Sequence, residues 1–294
     1  MLQSRFAGHA AMFLFSALVA GSFSLGAIAA NEIDPLALTA IRFVFAAVLV
    51  TGVAAAMHRF DPVWLAAPWR YGALGGSMAL YFFLMFVALK TASPISTSAV
   101  FTLAPLFSAL FMYLLMRQTT GGWVAIALAV GACGALWVIF KGSLAALLSL
   151  NVGYGEAIFV IGTASHALYA PLIPYLNRGE PTVVFTAGML IVGAIILLFL
   201  AAPALLDADL GGLSPNIWGI IIYLSVGTTA ITFFLVQFAA RRLPATKVMA
   251  YTYIIPSWVA VWELAQGNGA PDTIVFWGIA LTIIALLMLL RRQN

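Results

Sequence analysis

One segment of the chain occurs twice. Residues 82–105 read FFLMFVALKTASPISTSAVFTLAP and residues 233–256 read FFLVQFAARRLPATKVMAYTYIIP, aligned without a gap at an offset of 151. Phe82/Phe233, Phe83/Phe234, Leu84/Leu235, Ala88/Ala239, Ala99/Ala250 and Pro105/Pro256 are identical, and Lys90 matches Arg241. Each copy is a hydrophobic run, a short basic turn and a second hydrophobic run broken by proline. A duplicated pair of proline-broken apolar helices is more typical of a carrier than of an enzyme.

The solvent for these runs is the bilayer. Charged residues make up 7% of the chain, against about 25% in soluble domains. Hydrophobic residues make up 64%, and the mean hydropathy is +1.09. Repeated apolar runs of roughly 20 residues each match a hydrocarbon core about 30 Å thick. The first run, Gly8 to Ala30, is too long for a signal-peptide core and is followed by acidic NEID, so it reads as a retained span. The single cysteine, Cys133, lies in an apolar run, which excludes an intrachain disulfide and suggests no metal cluster. The net charge of +4 comes from loop residues and is not a nucleic-acid footprint.

Hydropathy predicts ten helices, at about 9–29, 35–57, 69–90, 93–116, 121–140, 154–175, 181–202, 215–240, 244–265 and 272–290. The expected fold is an all-α integral membrane protein without a soluble domain. With the N-terminus in the cytoplasm, Arg5, Arg59, Arg70, Arg117, Arg178, Arg241, Arg242, Lys247, Arg291 and Arg292 face inward. Only Lys90 and Lys141 face outward, together with the acids Glu32, Asp34, Asp207, Asp209 and Asp272. That bias predicts a bacterial-type inner (plasma) membrane protein with both termini cytoplasmic. Five helices per copy is an odd number, so the second copy enters the membrane upside down. The expectation is two inverted five-helix repeats, 1–145 and 146–294, around a central cavity. A further echo is IAL at 126–128 and again at 279–281, in helices 5 and 10.

RFVFAAVLV in helix 2 and the two repeated segments resemble the EamA-type transporters of the drug/metabolite transporter superfamily. The ten-helix layout extends that resemblance over the whole chain. Within the superfamily the chain is similar to the YddG-type exporters of aromatic amino acids. The resemblance implies a cavity lined by helices 1, 3, 4, 6, 8 and 9, and a structural role for Arg42 in helix 2. The chain departs from the family where tryptophans are common: Ala20 and His166 stand at those positions. Where members often carry Gly-Glu at the ends of helices 4 and 9, it reads LMRQTTGG and AQGNGAPD.

The expected cavity lining is Ser22, Phe23, Ser77, Tyr81, Thr97, Phe101, His166, Tyr169, Thr229, Tyr251 and Trp258, joined by hydroxyls such as Ser24 and Ser98. Such a site is apolar with a few neutral polar anchors, suited to an aromatic or amphiphilic solute. No buried Arg/Lys cluster is present to hold a polyanion. Pro105 and Pro256 break helices 4 and 9, either as static kinks or as hinges; Pro94 and Pro244 read as helix initiators. His166, midway along helix 6, is a neutral packing group, a cavity ligand or a proton relay. Arg42 pairs with Glu263 or meets a substrate carboxylate if it is not purely structural. Glu156 favours the N-terminus of helix 6. Trp64, Trp69 and Trp218 belong to an interfacial belt.

The leading functional reading is export of amino acids, aromatic or hydrophobic and other neutral ones, by alternating access and without tight ion coupling. The alternative is a multidrug, organic-cation or metabolite exporter driven by protons, which commonly needs a midplane carboxylate that this sequence lacks. An intramembrane enzyme lacks its chemistry here: His9, His58 and His166 have no metal-ligand spacing, and Ser165 points about 100° away from His166 on the helix. A channel lacks a filter motif. The expected partners are a small-molecule substrate and the lipid bilayer, with no nucleic acid; no cofactor is expected.

Overall fold

A computed structural model describes residues 2–57, 67–148 and 152–291. His58, Arg59, Trp64 and Arg292 lie outside the described residues. Among the described residues there are ten helices long and apolar enough to cross a membrane, and no strand. They are α1 (Leu2–Glu32), α2 (Pro35–Met57), α3 (Trp69–Leu89), α4 (Pro94–Met116), α5 (Gly122–Ile139), α6 (Tyr154–Leu176), α7 (Thr182–Leu200), α8 (Pro215–Ala240), α9 (Ala245–Ala265) and α10 (Thr273–Arg291). Two short helices, Leu144–Leu148 and Ala202–Asp207, lie in the connections. The boundaries follow the hydropathy closely, except that α1 begins seven residues early, at Leu2.

Helix starts are written locally. Ser93 caps α4, accepting from the Ser96 backbone N–H at 3.2 Å, with Pro94 in the first turn. Ser214 and Pro215 do the same for α8. Asp34 accepts from the backbone N–H groups of Leu36 and Ala37 ahead of α2. Pro244 is the residue immediately before α9.

Three spans are not continuous α-helix. In α4 the α-helical pattern stops at Phe101 and resumes at Ala104. In α9, Ala245–Ala250 gives way to a 3₁₀ turn, Tyr251–Ile254, before Ile255–Ala265. Pro105 and Pro256 each sit in the first turn of the second half. Proline has no N–H for the carbonyl four residues back and its ring crowds that carbonyl, so each break falls just upstream. The third interruption, a π-helical stretch at Val226–Ile231 in α8, has no counterpart in α3.

Helix packing shows the duplication. α1 runs along α8 and α9, whereas α6 runs along α3 and α4. α2 pairs with α7, and α5 with α10. Exchanging the two sets of five leaves this pattern unchanged, as a pseudo-two-fold relation between inverted repeats requires. α5 and α10 cross where Gly134 meets Gly278: a Cβ on Gly134 would stand 2.8 Å from the Gly278 carbonyl oxygen. Gly75 of α3 and Gly193 of α7 permit a similar approach, with backbone atoms 3.0 Å from a Cβ built on Gly75.

Long-range contacts fix which helix ends share a side. Arg70, Glu180 and Arg241 meet at one end, where His9 also bonds Tyr251 at 2.9 Å. Glu32, Asp34, Asp207 and Asp209 line one cleft, and Ser96 donates to Glu156 at 2.7 Å. Those groupings agree with the sides assigned by counting spans. Large apolar side chains on the spans, such as Phe199 and Ile195, are left outward, as contact with lipid tails demands. Trp69 is exposed as a belt residue would be, but Trp218 is half-buried against the core.

Candidate functional site

At the centre of the bundle α1, α3, α4, α6 and α8 bring their aromatic side chains together. Tyr81 of α3 stacks on Phe101 of α4 with ring centroids 5.2 Å apart. His166 of α6 lies 4.6 Å from Tyr81 and 4.7 Å from Phe101, edge-on to the latter. Phe23, Phe159 and Phe15 close the surround, and Tyr169 follows one turn after His166 along α6. Spacing of three residues on a helix puts His166 and Tyr169 on one face. Of the expected lining residues, Phe23, Tyr81, Phe101, His166 and Tyr169 therefore form one buried cluster.

A residual cavity of about 10 Å³ lies among Phe15, Val19, Met78, Tyr81, Phe82, His166, Tyr169, Thr232, Phe233 and Val236. That is room for one water at most, so the centre is closed in this conformation. Its walls are nevertheless not saturated. Tyr81 Oη, His166 Nδ1 and the nearby Thr163 Oγ1 are buried without a hydrogen-bond partner among the described residues. Buried polar groups are normally paired, so these three atoms have hydrogen-bonding capacity left unused in this conformation.

The duplicated segment supplies the cavity's axis. Phe82 and Phe233 occupy equivalent positions and stack on each other, 5.9 Å apart with 18° between planes. Equivalent residues touch only near the axis relating the repeats. Tyr81 and Thr232, also equivalent, both line the cavity. The site therefore straddles the pseudo-two-fold axis.

Gln237 is the polar residue that sequence reasoning missed. It is fully buried; its Nε2 donates to Tyr169 Oη at 3.1 Å and contacts Met189 Sδ at 3.3 Å, leaving Oε1 unpartnered. A signal existed, since Gln237 stands where the first copy has Phe86. A lone amide inside a duplicated apolar run is costly unless it is used. Phe15, Phe82, Phe159 and Phe233 were also missed, because aromatic residues are common on every span.

Several expected lining residues lie elsewhere. Thr229 accepts from Arg42 Nε at 2.8 Å and donates to the Leu224 carbonyl, so it belongs to the arginine's cradle and not to the cavity wall. Tyr251 is committed to His9 at the end of α1 and α9. Trp258 packs edge-on against Phe13, whose ring is half exposed on the outer face of α1. Ser77 and Thr97 turn their hydroxyls back to Leu74 and Ser93 of their own helices; the Ser77 carbonyl accepts from Ser165 of α6. Ser22 is buried with its hydroxyl unpartnered, apart from the residues that line the cavity. In this conformation these side chains are therefore not among those lining the residual cavity: helical periodicity assigns a face, but which neighbour that face meets depends on tertiary packing.

Arg42 does not pair with Glu263. Glu263 accepts from Asn268 at 3.0 Å near the end of α9, while Arg42 is fully buried against α8. One end of the bundle is tied by a buried ion pair, Arg70 Nη2 to Glu180 Oε1 at 2.8 Å. Arg70 also donates to the Leu176 carbonyl, the Arg178 N–H donates to Glu180, and Arg241 donates to the Glu180 carbonyl. This knot joins α3 to the α6–α7 turn and to the end of α8. Burial alone would raise the Glu180 carboxyl, but the hydrogen bonds from Arg70 and the Arg178 backbone outweigh it and hold the group below its ordinary range. Among the described residues no group of His, Cys, Asp and Glu could hold a metal ion.

Two stretches of the chain, residues 6–140 and 153–291, match the model of the EamA-like transporter family. A transporter of uncharacterized function from Bacillus subtilis, YyaM, is 23% identical over 63% of this chain; the aligned part spans 61% of that relative's own length. An uncharacterized transporter from Archaeoglobus fulgidus is 24% identical over 97% of this chain and 98% of its own. A solved crystal structure at 21% identity superposes with a TM-score of 0.70, covering 99% of both chains, and carries the fold alone.

Proposed function

Because the chain belongs to the EamA-like transporter family, we propose that it exports amino acids, aromatic and hydrophobic ones foremost, as the YddG-type resemblance implies. Alternating access between the halves 1–145 and 146–294 moves the solute, in an inner membrane with both termini cytoplasmic. The observation that carries this reading is the closed aromatic centre with its unpartnered Tyr81, His166 and Thr163 polar atoms. Rings receive an apolar side chain, and the free donors and acceptors receive polar groups. The Arg70–Glu180 ion pair lies at the end assigned to the cytoplasm and ties α3 to the α6–α7 turn there.

Opening swings the halves of α4 and α9 about the breaks ahead of Pro105 and Pro256, whose matched positions suit a symmetric motion. None of the described carboxylates lines the cavity, which favours transport down a gradient over proton coupling. The test is uptake of labelled phenylalanine, tryptophan, threonine, methionine and a quaternary cation into proteoliposomes, with and without a pH gradient. Amino-acid uptake that survives collapse of the gradient is the expected result. Uptake of the cation alone overturns the substrate class.

A further inference from the structure

Arg42 is a full charge inside the bundle, and among the described residues no carboxylate pairs with it. Its Nε donates to Thr229 Oγ1 at 2.8 Å, and Nη2 donates to Thr228 Oγ1 at 2.8 Å and to the carbonyls of Thr228 and Leu224 at 3.1 and 3.2 Å. Thr228 and Thr229 lie within the π-helical stretch Val226–Ile231 and Leu224 just before it, and the changed register there alters how backbone carbonyls are presented. Among the described residues Nη1 has no hydrogen-bond partner. Hydroxyl and carbonyl dipoles and aromatic rings, with no carboxylate, thus surround the cation, and one of its donor groups is idle. Burying a cation without a counterion is expensive.

What separates this donor group from the cavity is one ring. The guanidinium carbon sits 3.6 Å from the centroid of Phe82, on which it makes a cation–π contact. Phe82 also lines the residual cavity and stacks on Phe233. Phe86 lies 5.3 Å from the same guanidinium carbon. Nothing ionisable occurs in α7, so the second repeat offers no matching charge.

We propose that Arg42 is a carboxylate anchor for the transported solute, with Phe82 as the shutter that covers it when the site is empty. The inference rests on the amino-acid reading above and deepens it: the substrate must carry a carboxylate, and its aromatic part replaces the contacts that Phe82 gives up. Arg42 supplies a planar donor face matched to a carboxylate. A single cation next to apolar rings favours a monoanionic head on an apolar body over a polyanion.

The test uses the purified full chain and three probes: phenylalanine, phenylalaninol, which lacks the carboxylate, and 3-phenylpropionate, which lacks the amine. Binding is read as thermal stabilisation in detergent and transport as proteoliposome uptake. Phenylalanine and 3-phenylpropionate are expected to bind at least about tenfold tighter than phenylalaninol, the loss typical of a missing charge-assisted contact. Arg42→Gln should erase that preference, and Arg42→Lys should restore part of it. Phe82→Ala keeps the bonds to α8 and opens the shutter, so 3-phenylpropionate should bind it about threefold tighter or better; this variant decides the matter if Arg42→Gln fails to fold.

Equal binding of phenylalaninol and phenylalanine by the unaltered protein overturns the anchor and leaves transport of aromatic amphiphiles standing. So does a preference that persists in Arg42→Gln. A protein that binds none of the three, but is stabilised by acetate only when Arg42 is present, loses the amino-acid reading and keeps the anchor. Stabilisation by no carboxylate removes both.

Discussion

Phe82 and Phe233, one from each copy of the duplicated segment, stack near-parallel with centroids 5.9 Å apart. Phe43 stands edge-on to both, at 6.2 and 5.8 Å. The seam between the repeats is therefore an apolar stack directly beside the residual cavity. A motion that exposes the cavity to alternate sides has to break or slide this stack.

Gln237→Leu tests the missed polar group. Its Oε1 is already unpartnered and Tyr169 keeps Met189 within 3.1 Å, so folding should change by no more than about 1 kcal/mol. Uptake of amino acids should fall about tenfold or more if that amide serves the solute. Thermal denaturation and uptake on the same preparation separate the two effects. Unchanged uptake would make Gln237 a packing residue only.

The Arg70–Glu180 knot predicts acid-sensitive stability. The folded Glu180 carboxyl lies below its ordinary value of 4.5. Its contribution is therefore complete above about pH 4.5 and is lost as pH falls through the lower folded value. Melting temperature against pH should show this loss in the unaltered protein. Glu180→Gln should start less stable and lose less on acidification; parallel curves would refute the assignment.

Removing Arg70 should be worse than neutralising Glu180. Arg70→Ala leaves the carboxylate buried beside α3 with its main partner gone. Breaking a buried pair by deleting one member costs about 3–5 kcal/mol. Melting of Arg70→Ala and of the double variant Arg70→Ala/Glu180→Gln measures it, and the double variant should recover part of the loss.

Pro256→Ala and Pro105→Ala restore a missing backbone donor at each helix break. Each variant should fold at least as well, since interior proline costs a helix about 3 kcal/mol. Each should transport more slowly, because a continuous helix resists swinging about Thr102–Leu103 or Tyr253–Ile254. Turnover at saturating solute is the measurement. An unchanged rate reduces both prolines to static kinks.

Gly134→Val tests the α5–α10 crossing. The added atoms would meet the Gly278 carbonyl oxygen at 2.8 Å and Leu281 and Thr282 at 3.0 Å. Overpacking of this kind costs about 1–3 kcal/mol. Stability in detergent should fall, with the substrate preference of the surviving fraction unchanged because the crossing is remote from the aromatic centre.

The sequence by itself determined the ten spans, their alternation, the inverted duplication and the broken helices, since each is a local or periodic property: apolar length, loop charge, an offset repeat, a proline without an N–H. The family resemblance, by implying which helices line a cavity, also pointed to Tyr81, Phe101, His166 and Tyr169. The tertiary structure decided which faces meet. It sent Thr229 to Arg42 and Tyr251 to His9, drew Glu180 onto Arg70, and brought Phe82 onto Phe233 at the axis. In a chain that is apolar on nearly every face, hydrophobicity cannot tell the lipid side from the bundle interior. Close packing at glycines and the few long-range hydrogen bonds between helices make that choice.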